Sequence, residues 1–190
     1  MADERWLVVG LGNPGPDYAG TRHNVGFQVA DLLAERARAR FKAHKGRASV
    51  CETRVDGVPA VLVKPLSYMN ESGGPVASVS VFYKVPPEQL VVVHDEIDLP
   101  FGAIRVKFGG GDNGHNGLKS VRRSLGDGEW YRIRLGVGRG SGRAAVATHV
   151  LKGFSGTERK ELPFLIDRAA DAVGSLLTDG LERTQNAYND

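Results

Sequence analysis

The apolar run Leu90-Val91-Val92-Val93 leads directly into the charged segment His94-Asp95-Glu96-Ile97-Asp98, and the fold class follows from this junction. A continuous run of β-branched residues is typical of a central strand that is covered on both faces. In open α/β sheets the ligand crevice lies beyond the carboxyl ends of such strands. We therefore expect the charged segment to lie beside a functional cleft.

Segments before and after this strand alternate between strand-like and helix-like patterns. The predicted elements are, in order, a strand over 5–11, a helix over 24–40 capped by Thr21, a hairpin of strands 48–55 and 58–63 joined by Asp56-Gly57, a helix with Pro75 in its first turn, strands 90–93 and 103–108, a helix over 116–125, a strand over 131–137 and a last helix that is ended by Gly180. This alternation predicts an α/β fold, namely a single domain over residues 1–190 with a twisted, mixed and mostly parallel sheet and helices on both faces.

The composition is that of a globular protein. Of 190 residues, 41% are hydrophobic and 25% are charged, which excludes a disordered polyelectrolyte and a coiled-coil rod. Cys51 is the only cysteine, so a disulfide framework and a cysteine-rich zinc site are both excluded. No apolar run reaches the roughly 18 residues of a membrane span, and Met1-Ala2-Asp3-Glu4-Arg5 lacks the pattern of a signal peptide. We expect a cytoplasmic protein that does not enter a membrane.

Positive charge is concentrated in one part of the chain. Lys and Arg number 25 and Asp and Glu number 22, for a net charge of +3. Residues 102–143 hold nine basic and three acidic residues, a local charge of +6, whereas the remainder, with 16 basic and 19 acidic residues, carries −3. Such a segment is either a solvated face or a surface that contacts a polyanion such as nucleic acid.

The glycine-rich segment Gly10-Leu11-Gly12-Asn13-Pro14-Gly15 matches the dinucleotide-binding fingerprint in its letters. Its context does not match. The fingerprint requires a helix to begin within the glycines, whereas Pro14 and Pro16 lack amide donors and the helical pattern begins only near Val25. The acidic residue expected about 20 residues later is also absent. We expect no dinucleotide cofactor.

Polar loop residues at the predicted strand ends form the best candidate site. A histidine oriented by a carboxylate can activate water, and asparagine amides can bind a carbonyl or a developing oxyanion. A metal site built from His94, Asp95, Glu96 and Asp98 stays open, although such acids are as often loop caps and solvated charges. The favoured interpretation is hydrolysis by activated water without metal or covalent intermediate. The residues concerned are Asn13, His23, Asn24, Asn70, Asp95, His115 and Asn116.

Five motifs, in order and over nearly the whole chain, resemble bacterial peptidyl-tRNA hydrolases. They are Gly10–Gly15 with Tyr18, the segment Thr21-Arg22-His23-Asn24-Val25-Gly26, the segment Lys64–Gly73, the segment His94–Pro100, and Gly109-Gly110-Gly111 with Gly114-His115-Asn116-Gly117-Leu118. The resemblance implies an esterase that cleaves the bond between a peptide and the terminal ribose of tRNA and so recycles tRNA from prematurely released chains. An alternative from a different class is a non-catalytic RNA-binding protein on the same fold.

The resemblance also implies roles for individual residues. His23 is then the general base, Asp95 orients it, and Asn13 distinguishes blocked from free amino groups. Tyr18, Tyr68, Asn70 and Asn116 match positions that contact substrate or tRNA, and Lys107 and Arg134 match a pair that binds the 5′ phosphate. Members of this family are typically monomers that need no metal and no cofactor.

Two segments depart from the family pattern. Gly138-Arg139-Gly140 lacks the usual proline after the second residue, and Asp112-Asn113 replaces a more usual His/Glu-Gly type pair. Neither departure falls on a catalytic position. Both put the geometry of loops beside the predicted RNA surface in question.

Overall fold

The computed structural model describes residues 4–140 and 143–189, so the first three residues, on which the signal-peptide expectation partly depends, lie outside the described part. The strands are β1 (Trp6–Gly10), β2 (Lys42–His44), β3 (Ala48–Val55), β4 (Val58–Pro65), β5 (Leu90–Glu96), β6 (Ile104–Phe108) and β7 (Tyr131–Gly136). The helices are α1 (Val25–Arg36), α2 (Gly73–Tyr83), α3 (Asn116–Leu125), α4 (Arg143–Val150), α5 (Gly156–Asp179) and α6 (Leu181–Tyr188). Short 3₁₀ turns cover Arg22–Asn24, Met69–Glu71 and Pro87–Gln89.

Within the described ranges, the strands form one sheet in the order β2-β3-β4-β1-β5-β7-β6. The four central strands β4, β1, β5 and β7 are parallel to one another. Antiparallel pairs lie at the two sides, where β2 and β3 precede β4 and where β6 pairs with β7. The predicted fold class is therefore confirmed, with parallel pairing concentrated at the centre of the sheet.

Strand β5 shows why its apolar run is continuous. Val91 and Val93 pack in the core shared with α1 and α5, whereas Leu90 and Val92 pack in the core shared with α2 and α3. Successive residues of a strand point to opposite faces, so a strand with helices on both faces needs an apolar residue at every position. This arrangement places the end of β5, with Asp95, between helices of the two layers.

The hairpin turn and two boundaries illustrate how local chemistry sets the elements. Asp56 and Gly57 both have positive φ angles, of 48° and 84°, as the predicted two-residue turn requires. Helix α1 is shorter than predicted because Arg38, with a φ of 54°, ends it before residue 40. Thr21 also differs from the prediction, since its hydroxyl donates to the carbonyl of Tyr18 and makes no cap bond.

Other differences concern short or weakly patterned segments. Strand β5 continues to Glu96, so His94, Asp95 and Glu96, which were expected in a loop, are its last residues, and only Asp98 of the charged segment lies in a turn. The elements β2, α4 and α6 were not predicted, because each is eight residues or shorter and a periodic pattern is diagnostic only over a longer stretch. No helix among the described residues is both long enough and apolar enough to cross a membrane.

Two glycines allow α1 to approach the sheet closely. A Cβ atom at Gly26 would overlap the carbonyl oxygen of Val93 and the backbone of Leu11, and one at Gly10 would overlap the carbonyl group of Gly26. Because His23 lies three residues before Gly26, this close packing brings His23 towards the end of β5.

We predict that Gly26→Ala destabilises the protein by about 1–3 kcal/mol, since the added methyl group meets backbone atoms that cannot rotate away. Urea unfolding monitored by circular dichroism measures this free energy. Gly20→Ala is the matched control, because the position is exposed and has open space where a Cβ atom would lie. Equal stabilities of the two variants would contradict the packing argument.

Candidate active site

A cleft of about 420 Å³ opens at the carboxyl end of β5. Its lining contains two chemically different groups of side chains. The polar group includes Asn13, His23, Asn70, Asp95, His115 and Asn116, and the apolar group consists mainly of Val146, Ala147, Val150 and Leu151 from α4 and the residue after it. The structure thus brings the predicted catalytic residues together in one cleft, as the sheet-end position of the loops predicted.

Asp95 is the centre of the polar group. Its carboxylate is buried, with Oδ2 2.7 Å from His23 Nδ1 and Oδ1 2.8 Å from His115 Nε2. Burial alone would raise the pKa of this carboxyl. The interactions with His115 and His23, including a hydrogen bond from each ring, outweigh burial and hold the pKa of Asp95 well below its usual range. Asp95 is therefore an ionised acceptor for both histidines.

His115 has its tautomer fixed by helix α3. It is the N-cap residue, and its Nδ1 accepts hydrogen bonds from the backbone N–H groups of Gly117 and Leu118, at 3.1 and 3.3 Å. A nitrogen that accepts two hydrogen bonds carries no proton, so the hydrogen-bond network assigns the proton to Nε2, which donates to Asp95. His115 is thus a neutral donor to the carboxylate.

His23 has the complementary arrangement. It lies in the 3₁₀ turn before α1, and its Nδ1–H donates to the Asp95 carboxylate. Since one proton is on Nδ1 in the neutral ring, Nε2 retains a lone pair. His23 lines the cleft, so this lone pair is available to a molecule bound there.

Asn13 is buried and held by three hydrogen bonds. Its backbone exchanges two of them with the Asn24 carboxamide, at 2.9 Å each, and its side-chain Oδ1 accepts from the N–H of Met69 at 2.7 Å. Because the oxygen is occupied, the network assigns the carboxamide NH₂ group to the cleft. Asn13 therefore presents a fixed donor.

The positions predicted to contact substrate lie around the same cleft. Tyr68, Asn70 and Asn116 line it, and the Tyr18 ring packs edge-on against Tyr68 with 6.4 Å between ring centroids. Tyr68 is exposed, as a residue that contacts a large ligand can be. Their binding roles stay predictions.

Lys107 and Arg134 lie in a second, narrower pocket that they share with Arg132 and Glu96. Burial, followed by repulsion from Arg134 and Arg132, lowers the pKa of Lys107. Glu96 offsets part of this charge, because its Oε1 lies 2.9 Å from Arg134 Nη2. Three cations around one carboxylate leave a net positive pocket that an anion would stabilise.

The sequence prediction missed the observed role of three residues that organise these two pockets. His115 was grouped with the polar loops, and Glu96 was weighed only as a metal ligand; Arg132 was only counted in the basic segment. Arg132 is buried over the Trp130 ring and donates to the carbonyl of Gly111. The one usable signal was the position of His115 immediately before a predicted helix, which is a capping position.

The two departures from the family pattern fit the observed backbone. Asn113 has a φ of 50°, a left-handed conformation that asparagine tolerates, and its Nδ2 donates to Glu96 at 3.2 Å. Asp112 accepts a hydrogen bond from the N–H of Gly114. Arg139 forms an ion pair with Asp98. The loops beside the two pockets are therefore closed by local hydrogen bonds and ion pairs of this chain's own residues.

One group among the described residues has the donor atoms for a metal ion. The ligand atoms of His23, Asp95 and His115 lie within 4.8 Å of one another. Each histidine already uses the nitrogen that faces Asp95 as a hydrogen-bond donor, and the other nitrogen of His115 caps α3. A cation bound there would have to displace both protons that the histidines share with Asp95. That the reaction needs no metal stays a prediction. The alternative metal set around His94 is not assembled, because the His94 ring donates to the Asp95 carbonyl and Glu96 binds Arg134.

Comparison with known proteins gives a consistent result. A profile of the peptidyl-tRNA hydrolase family matches residues 7–190. A peptidyl-tRNA hydrolase of Frankia alni is 58% identical over 98% of this chain and 95% of its own length, and one of Streptomyces coelicolor is 59% identical over 97% and 94%. The crystal structure of peptidyl-tRNA hydrolase from Acinetobacter baumannii superposes with a TM-score of 0.92 at 35% identity, covering 98% of this chain and 96% of that one.

The buried His94 allows a test of the electrostatics beneath the cleft. Complete burial is the main cause that lowers the pKa of His94 to about 3, well below the roughly 6.5 of an exposed histidine. Between these values the unfolded chain binds the proton and the folded chain does not. Stability contributed by neutral His94 is therefore present above the unfolded pKa and is lost as the pH falls towards 3.

We predict that His94→Asn reduces the slope of unfolding free energy against pH by up to about 1.4 kcal/mol per pH unit between roughly pH 6 and pH 4. The asparagine amide can keep the donor that His94 Nδ1 directs at the Asp95 carbonyl. Urea unfolding at a series of pH values measures both slopes. Parallel curves for the two proteins would show that His94 has the same pKa in the folded and unfolded chains, which would contradict the lowered pKa.

Proposed function

This chain belongs to the peptidyl-tRNA hydrolase family and is an enzyme of that family; from this premise we propose that it cleaves the ester between a peptide and the terminal ribose of tRNA with water activated by His23. The comparisons favour this activity over a non-catalytic RNA-binding protein on the same fold. One observation carries the mechanism. Asp95 accepts a hydrogen bond from His23 Nδ1, which leaves His23 Nε2 as the base in the cleft.

In the proposed reaction, a water molecule beside His23 Nε2 attacks the ester carbonyl carbon and gives its proton to that nitrogen. The imidazolium that forms is stabilised by the ionised Asp95 carboxylate at 2.7 Å. When the tetrahedral intermediate collapses, the carbon–oxygen bond to the ribose breaks and His23 returns the proton to the ribose oxygen. The products are tRNA and a free peptide acid, which ionises by losing its remaining proton to solvent, and no covalent intermediate is needed.

The asparagines of the cleft supply neutral donors. Asn70 and Asn116 line the cleft with His23, and their NH₂ groups can stabilise the oxyanion of the tetrahedral intermediate. The Asn13 NH₂ group is suited to bind an amide carbonyl of the acylated substrate. An unblocked aminoacyl group presents an ammonium instead, which has no acceptor for that donor.

The second pocket suits the other end of the acceptor stem by its charge. Its net positive charge favours a bound anion, and we assign it to the 5′ phosphate of tRNA. The Glu96 carboxylate binds the Nε and one Nη nitrogen of Arg134, which leaves other N–H groups of the guanidinium for the phosphate. This supports tRNA as the nucleic-acid partner.

The setting of the reaction follows from the substrate. Peptidyl-tRNA arises in translation, so we place the enzyme in the cytoplasm. The groups assigned to the chemistry come from a single copy of residues 1–190, which supports a monomer acting as one domain. Neither a cofactor nor a metal enters the proposed steps.

We predict that His23→Ala lowers kcat on N-acetyl-aminoacyl-tRNA by roughly 10²–10⁴ while the affinity for tRNA is retained. Asp95→Asn should be nearly as severe. His115 requires the one remaining acceptor oxygen, so the new NH₂ group faces His23 Nδ1 and forces the proton of His23 onto Nε2. Release of tRNA in the presence of a chelator measures both effects.

Circular dichroism of the folded variants is the control for this experiment. A His23→Ala variant that is folded and hydrolyses near the wild-type rate would remove His23 as the base. Loss of wild-type activity on adding the chelator would instead show that a metal takes part.

We predict that Lys107→Gln combined with Arg134→Gln raises KM for tRNA-linked substrate more than it lowers kcat. The slope of log Kd against log salt should fall by about 0.7–0.9 for each phosphate that the variant no longer neutralises. A substrate without its 5′ phosphate is the matched control, because the double variant and the wild type should bind it equally. An unchanged salt slope would remove these residues from the RNA interface.

We predict that Asn13→Asp narrows the ratio of kcat/KM between N-acetyl and free aminoacyl-tRNA. The variant keeps the oxygen that accepts from Met69 but replaces the donor in the cleft with a negatively charged acceptor that attracts an ammonium. An unpaired buried polar group costs about 1–3 kcal/mol, so the ratio should change by roughly 5- to 150-fold. If both rates fall in parallel with the ratio unchanged, Asn13 acts in folding or general positioning instead.

A further inference from the structure

The residue directly before the proposed base is a buried arginine that none of the steps above uses. Arg22 lies in the same 3₁₀ turn as His23 and is only 7% exposed. A buried guanidinium is costly unless it is paired. Its partners therefore show what the protein gains from placing it there.

Arg22 contacts two helices that are remote in sequence. Its Nη1 donates to the carbonyl of His149 in the last turn of α4, at 3.1 Å, and its Nη2 donates to Glu158 Oε1 in the first turn of α5, at 2.9 Å. The guanidinium also lies over the Phe154 ring, 5.4 Å from its centroid. One side chain of the catalytic turn thus holds the junction of α4 and α5.

Glu158 is itself fixed in place. It is the third helical residue after the N-cap Ser155 and completes a capping box, in which the Glu158 carboxylate accepts from the N–H of Ser155 and the Ser155 hydroxyl accepts from the N–H of Glu158. Burial would raise the pKa of Glu158, but the hydrogen bonds from Ser155 and Arg22 lower it. Arg22 therefore binds an ionised partner that the start of α5 holds rigidly.

The backbone supports the same junction. The N–H of Arg22 donates to the carbonyl of Lys152 at 3.0 Å, and Thr21 forms a bridge with Gly153. The helix that ends here, α4, supplies most of the apolar side chains of the cleft, whereas the asparagines belong to its polar group. The distance from His23 to this apolar group thus depends on contacts that Arg22 makes.

We propose that Arg22, paired with Glu158, is a positioning residue that fixes the apolar side of the cleft relative to His23 and so sets substrate affinity. The inference rests on the proposed function of the cleft. It assigns no chemical step to Arg22. The non-polar part of the acyl group packs against α4, and loss of the pair lets α4 move away while the His23–Asp95 hydrogen bond stays intact.

The test measures two properties, the kinetic constants and the hydrogen exchange, of Arg22→Met and Glu158→Gln. Glutamine also serves at this position of a capping box, so Glu158→Gln removes the charge of the pair and keeps the cap. We expect Arg22→Met and Glu158→Gln to raise KM for N-acetyl-aminoacyl-tRNA by roughly three- to tenfold with kcat within about twofold of wild type. The double variant should show less than the product of the two single effects, since both remove one interaction.

Arg36→Met is the matched control. Arg36, in α1, also forms ion pairs with carboxylates of α5, those of Asp167 and Asp171. It is more exposed than Arg22 and does not line the cleft. We expect Arg36→Met to leave the KM for N-acetyl-aminoacyl-tRNA unchanged. A KM shift as large as that of Arg22→Met would mean that general destabilisation, and not positioning of α4, is responsible.

Hydrogen exchange gives the readout that does not depend on activity. Amides of residues 145–150 should exchange faster in Arg22→Met and Glu158→Gln than in wild type or Arg36→Met, whereas those of β5 should not change. Unchanged exchange in α4, multiplicative effects on KM, or a fall in kcat at constant KM would each overturn the proposal. An inactive wild type would refute the proposed function alone, because the exchange data would still decide whether Arg22 positions α4.

Discussion

A buried, ionised carboxylate is the constraint on which the rest of this site depends. Asp95 is only 2% exposed, and a charge in that position is tolerated only when donors surround it. The two donors are histidines from opposite layers of the fold, His23 before α1 and His115 at the start of α3. Because α3 fixes the proton position on His115, and Asp95 then fixes the proton position on His23, the orientation of the base follows from helix capping and burial.

That convergence needs close packing as well as hydrogen bonds. Gly10 and Gly26 let α1 reach the sheet near β5, while Gly117 lies where a Cβ atom would press on the Met69 sulfur and the His115 ring. Met69 in turn supplies the N–H group that orients Asn13. The same few contacts therefore set both the base and the amide donor beside it, and Arg22 extends this order to the apolar side of the cleft.

Much of this arrangement could be predicted from the sequence, and the remainder depends on tertiary contacts. The run of valines in β5, the Asp56-Gly57 turn and the pattern of α3 report local chemistry, so they identified those elements and placed Asp95 at a sheet end. The hydrogen bond from His115 to Asp95 could not be predicted, because it joins residues 20 apart in the chain that only the folded loops bring together. The pairing of Glu96 with Arg134 depends likewise on the position of β5 beside β7. The end of α1 was missed because Arg38 adopts a left-handed conformation without a glycine to signal it.

The tautomer of His23 tests the central claim most directly. Nitrogen NMR of ¹⁵N-histidine-labelled protein near neutral pH distinguishes protonated from unprotonated ring nitrogens, and the His23→Ala variant assigns the His23 signals by their loss. We expect the proton on Nδ1 and a bare Nε2 in the wild type, and the reverse in Asp95→Asn. A wild-type His23 with its proton on Nε2, or a tautomer that Asp95→Asn leaves unchanged, would contradict the claim that the buried carboxylate sets the base.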